Sequence, residues 1–186
     1  ENDREENLFT ILNQFNKGKE LIRSAEERIR VAELNHRAGK RARQSAAFAS
    51  AYRFFMAGIE LVGEDAWQNN YDLLLALHNE AAEAAYLSAD HEEVDRLGAM
   101  ILKNARNLLD TVFFYITKIN ALTNQARFGA ALDMGLEFLE RLDFKIPRKP
   151  TQQDITVAFS RSERALRGKT PEEIAAFPEL TDSRLL

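Results

Sequence analysis

Gly39-Lys40-Arg41-Ala42-Arg43-Gln44-Ser45-Ala46-Ala47-Phe48-Ala49-Ser50-Ala51-Tyr52-Arg53-Phe54-Phe55-Met56-Ala57-Gly58 is the stretch that decides how this chain folds. Small residues stand at Gly39 and Ala42, an aromatic at Phe48, and Ala51, Phe55 and Gly58 follow it at +3, +7 and +10. That order describes two helices meeting: small residues where the backbones approach, bulky ones where space must be filled. It returns as Ala82, Ala85, His91, Val94, Gly98 and Ile101, and again as Ile119, Leu122, Phe128, Ala131, Gly135 and Phe138. The equivalent residues Phe48, His91 and Phe128 are about 43 and 37 residues apart. A single hairpin of this kind leaves an apolar face uncovered, and stacking against the next hairpin buries it.

Working outward, the spacing of apolar residues predicts helices almost everywhere. A first helix covers about 4–16, with Leu8, Ile11, Leu12 and Phe15 on one face. Ser24-Ala25-Glu26-Glu27 fits a capping box opening the second, which reaches about Arg43. The third starts near Ser45 and stops at Gly63, read as a left-handed cap, and Trp67 lies in the connection that follows. Further helices cover about 68–88, 91–105 (capped by Asp90), 108–124 and 127–142. An eighth starts at Thr151 or Thr156, and Thr170-Pro171-Glu172-Glu173 begins another.

Composition bounds the function classes. The 186 residues are 45% hydrophobic and 29% charged, a globular balance. Zero cysteines exclude disulfides, thiolate metal sites and a cysteine nucleophile. The net charge of −4 gives no whole-chain attraction to nucleic acid or an anionic membrane. No apolar run approaches the ~18 residues of a membrane helix, so a cytoplasmic location is expected. All four prolines (Pro147, Pro150, Pro171, Pro178) lie in the last forty residues, and an organisational boundary is expected at 144–150. The expected parts are an N-terminal helix over 1–23, an array of helix pairs over 24–146 and a C-terminal extension over 147–186. The absent initiator Met and the helix-start pattern of Thr181–Leu186 suggest a piece of a longer polypeptide.

The hairpin pattern resembles the tetratricopeptide (TPR) repeat, with its small residues and an aromatic opening the second helix. That resemblance implies an all-α superhelix of antiparallel helix pairs. A second resemblance rests on Leu8–Gly18, Glu26–Asn35, Ala38-Gly39-Lys40-Arg41-Ala42 and Leu142-Asp143-Phe144-Lys145-Ile146-Pro147. These segments, in this order, look like the helical region of large bacterial signalling proteins that join an AAA-type (STAND-class) ATPase to serine/threonine-kinase, GAF and histidine-kinase domains. The phosphate loop and kinase motifs of that family are absent from this segment, so the resemblance places any catalysis elsewhere in the polypeptide.

Glu33-x-x-His36 has the spacing of half a di-iron site, but no second copy accompanies it, so neither a metal site nor a cofactor is expected. His91 falls at the aromatic position of the repeat and is read as a packing residue. His78, beside Glu80 and Glu83, has the makings of an acid–base pair in a groove but no nucleophile at a recognisable spacing. Basic clusters at Arg37/Lys40/Arg41/Arg43, Lys145/Arg148/Lys149 and Arg161/Arg164/Arg167/Lys169 are balanced by acids and lack aromatic platforms, so nucleic acid is not the expected partner.

The repeat register places His36, Lys40, Arg43, Asn79, Glu83, Tyr86, Phe113, Ile116, Asn120 and Thr123 on the inner face of the stack. That face suits a peptide, a partner helix or a neighbouring domain. Lys40, Asn79 and Asn120 match a carboxylate clamp only with Asn79 shifted by a turn. The adjacent aromatics Phe54-Phe55 and Phe113-Phe114-Tyr115 leave some rings for a partner or for a weak dimer. The expected role is a non-catalytic interaction and relay module; the alternative is the effector-sensing arm of an ATP-dependent transcription activator.

Overall fold

Backbone hydrogen bonding makes helices of almost everything the sequence marks as periodic. A computed structural model describes residues 2–177, with side chains from Phe9 onward except that of Glu64. The helix-start pattern at 181–186 lies outside the described residues. Among those described, all regular structure is helical: α1 (Asn2–Lys17), α2 (Ala25–Gln44), α3 (Phe48–Val62), α4 (Tyr71–Leu87), α5 (His91–Asn104), α6 (Val112–Asn124), α7 (Phe128–Arg141), α8 (Gln152–Leu166) and α9 (Pro171–Ala175). Two compact units divide at Arg127/Phe128, upstream of the proline segment.

The first unit alternates two kinds of connection. Tight turns follow α2, α4 and α6, centred on Ala46, Ala89 and Ala126, each left-handed with φ of 57°, 59° and 58°. Each closes with the same pair of bonds. The Ala46 N–H donates to Arg43 and that of Ala47 to Ala42; Ala89 and Asp90 do so to Tyr86 and Ala85, and Ala126 and Arg127 to Thr123 and Leu122. The outer bond reaches back five residues, which is the Schellman arrangement. The other connections, after α1, α3 and α5, carry short 3-10 turns at Lys19–Leu21, Glu64–Gln68 and Leu109–Thr111. Those turns explain the late starts of α4 and α6: residues expected in their first turns form the 3-10 segments instead. Gly63 does have positive φ (87°), but its ψ of 142° lies in glycine-only space rather than the left-handed helical well.

Close approach within the unit depends on residues without side chains. A Cβ on Gly39 would strike the buried Phe55 ring, one on Gly98 the Phe114 ring, and one on Gly58 would come 2.9 Å from Leu77 Cδ2. Each first helix also carries one buried polar residue bonded to the carbonyl four residues back. Asn35 Nδ2 donates to Val31 at 2.9 Å, His78 Nδ1 to Leu74 at 2.7 Å and Thr117 Oγ1 to Phe113 at 3.0 Å. Asn35 exchanges amide bonds with Asn16 (2.8 and 2.9 Å), tying α1 to α2. The core runs from Leu12 through Phe55, Leu77 and Leu97 to Phe114.

In the second unit α7 ends in a similar turn, with Asp143 at φ 70° and Phe144 N–H donating to Leu139. Arg148 pairs with Asp133 at 2.9 Å, fixing the proline segment against α7. Thr151 caps α8 and Thr170 caps α9, each in a reciprocal box with Asp154 or Glu173. Neither α8 nor α9 buries a residue.

Candidate functional site

Helix α4 packs against α2, α3, α5 and α6, so α2, α4 and α6 lie in sequence along one side. The expected inner-face residues fall on these three helices, and several bridge them. Arg43 of α2 pairs with Glu83 and, at 3.3 Å, with Glu80 of α4. His36 Nε2 stands 4.0 Å from Glu80 Oε1. Burial is the largest influence on His36 and lowers its pKa; Glu80 opposes this, while Lys40 and Arg43 add to the lowering. One turn further, Asn124 Nδ2 of α6 donates to Tyr86 Oη at 2.8 Å.

The remaining candidates divide by exposure. Lys40, Phe113, Ile116, Asn120 and Thr123 are exposed, with Phe113 at 41% and Ile116 at 54%. Phe113, Ile116 and Asn120 follow 3–4 spacing and form an open stripe on α6. Thr123 Oγ1 is engaged with the Ile119 carbonyl at 2.8 Å. Asn79 is buried, so the clamp of Lys40, Asn79 and Asn120 is not assembled as an open surface. His78 is buried against Trp67 (rings 4.9 Å apart) with Nδ1 on Leu74, which places it in the core rather than in a groove with Glu83. No group of three or more His, Asp and Glu among the described residues is placed to hold a metal ion, and no described helix is long and apolar enough to cross a membrane.

Sequence reasoning missed a second set of cross-links. Tyr52 of α3 donates to Glu93 of α5 at 2.6 Å, and Arg96 donates to the same carboxylate at 2.8–3.0 Å. The bonds from Arg96 and Tyr52 hold Glu93 below its usual carboxylate range, while burial and then Glu93 push Tyr52 up to about 12. Tyr71 donates to Asp110, accepts from the Arg106 N–H at 2.9 Å and lies 3.9 Å under the Arg106 guanidinium, fastening the linker before α6 to the start of α4. The signal for all of these was present as distance along the chain. The pairs 19/60, 43/83, 52/93, 71/110 and 86/124 are separated by 41, 40, 41, 39 and 38 residues.

Against known proteins the chain is similar to the hybrid signal transduction histidine kinase G of Dictyostelium discoideum, with 28% identity over 172 residues. The match takes in 88% of this chain and 5% of that protein, so the chain spans a small part of its relative's length. The relative is eukaryotic, whereas the sequence resemblance pointed to bacterial proteins. No protein-family model matches, nor does any solved structure.

Proposed function

We propose that this chain is a non-catalytic protein-interaction and relay module, built as a TPR-like superhelix of stacked helix pairs, within a larger signalling polypeptide. The observation that carries the reading is the set of side-chain bonds recurring at 38–41 residues, which tie the turn after α1 to α3, α2 to α4, α3 to α5, and α4 to α6 and the turn before it. Three identical left-handed alanine turns and the order α2–α4–α6 along one side support it as well. Stacked hairpins present a continuous face, and a partner that prefers one curvature of the stack shifts the population of states in domains joined to it. The similarity to part of a histidine kinase supports a host protein of that class. In this reading kinase or ATPase chemistry belongs to the host, and an AAA-type ATPase is one candidate neighbour.

The docking face is the stretch from Lys40 and Glu83 to the open stripe Phe113, Ile116 and Asn120, and its partner is a peptide, a helix or an adjoining domain. Polar substitution of that stripe tests the idea. Phe113→Ser with Ile116→Ser, both at exposed positions, should leave helicity and Tm unchanged while changing autophosphorylation of the host polypeptide about threefold or more. Unchanged output from a folded double variant would rule the relay out.

A further inference from the structure

The first two hairpins build the same cleft twice and line it differently. Between α3 and α5, at the turn end of the hairpins, lies a cleft of about 380 Å³ bordered by Ala49, Tyr52, Arg53, Ala85, Ser88 and Asp90, so Arg53 stands between this cleft and the larger one between α1 and α3. Beside it the Glu93 carboxylate is held by Arg96 and Tyr52, and Asp90 Oδ1 accepts from the Glu93 N–H at 3.2 Å. One repeat earlier the register puts Ala42, Ser45 and Ala47 where Ala85, Ser88 and Asp90 stand, and those three line a larger cleft of about 690 Å³ between α1 and α3.

Along the same register Arg96 corresponds to Arg53, Glu93 to Ser50 and Asp90 to Ala47. The cation is kept and both carboxylates are gone. Arg53 donates to Ser50 Oγ at 3.1 Å, a neutral acceptor in the place of a charged one. Lys17 brings a second cation to the cleft, and no carboxylate lines it among the described residues. Phe9 and Phe54, with ring centroids 5.5 Å apart, supply an apolar wall.

We propose that the α1–α3 cleft binds the carboxylate of an amphipathic ligand, its head between Arg53 and Lys17 and its apolar stem on Phe9 and Phe54. The head takes the place that Glu93 occupies one repeat later. A charge-assisted bond to arginine is the strong form of such a contact, and the volume falls in the range of small-ligand sites. The carboxylate belongs either to a free short-chain acid or to an acidic side chain of a peptide.

The intact chain should be titrated by NMR with hexanoate, with hexanol and with a capped glutamate-containing hexapeptide. Saturable shifts at Phe9, Ser50 and Arg53 with hexanoate, at a Kd of about 1 mM, and none with hexanol are expected for a free acid. Shifts with the peptide alone assign the carboxylate to a peptide side chain. Ser50→Glu rebuilds the internal carboxylate of the next repeat. It should raise Tm by about 1–3 °C and weaken ligand binding about tenfold. Arg53→Gln should weaken binding by a similar factor at unchanged Tm. Absence of saturable shifts with both acids, equal binding of hexanol, or undiminished binding to folded Ser50→Glu would overturn the proposal.

Discussion

A Cβ on Gly98 would come within 2.1 Å of two carbons of the Phe114 ring, and that ring is buried, with little room to retreat. Gly98→Ala should therefore cost about 1–3 kcal/mol through overpacking, read as a lower urea midpoint at unchanged m. Ala89→Gly should act in the opposite direction. Its φ of 59° strains an L-residue, so glycine should stabilise by about 0.5–1 kcal/mol even after its own entropy is counted. A pair of variants with these two signs checks both contacts and turns; a destabilising Ala89→Gly would mean the turn is not left-handed in solution. The two features differed in legibility for a physical reason. A missing side chain marks a close approach, so the small residues at 39, 58 and 98 could be aligned from sequence. Alanine carries no turn signature, so a left-handed alanine is visible only in the backbone.

Elements were legible where periodicity ran long and obscure where tertiary contacts took over. The second helix starts where its expected capping box lies but carries only the serine half of it, Ser24 Oγ accepting from the Glu27 N–H at 3.4 Å. The 3-10 turns before α4 and α6 were not, because Trp67 and Thr111 are fixed by burial rather than by local propensity. The residues expected on the inner face do fall on α2, α4 and α6, while the burial of Asn79 and the core position of His78 depend on packing from α3 and the Trp67 turn. The α2–α4 rung carries a pH signature of its own. Burial holds the His36 pKa below 6.5, so the unfolded chain binds that proton more tightly than the folded one. Stability is then complete above about pH 6.5 and declines as the pH falls below it. Urea midpoints at pH 7.5 and 5.5 should differ less for His36→Gln than for the wild-type chain. Equal differences would mean that His36 is as easily protonated in the fold as out of it.

At the scale of the whole chain, burial is unevenly shared. The three core clusters lie between Leu12 and Phe114, all inside the first unit, and α4 alone buries nine residues. Helices α8 and α9 bury none, and their defined terminal contacts are the Thr151 and Thr170 caps. Caps contribute about 1 kcal/mol each, and a fifteen-residue helix without a packed face is marginal in water. Hydrogen exchange on the intact chain should resolve this division. Amides of α4 should exchange only through global unfolding, at a cost of about 5–15 kcal/mol, and those of α8 through local opening with protection of about tenfold or less. Hairpins that stack by nearest-neighbour contacts should also show graded protection, highest in α4 and lower in α1 and α6, because α4 packs against α2, α3, α5 and α6. Protection in α8 equal to that in α4 would require a covering surface for Ile155, Phe159 and Leu166.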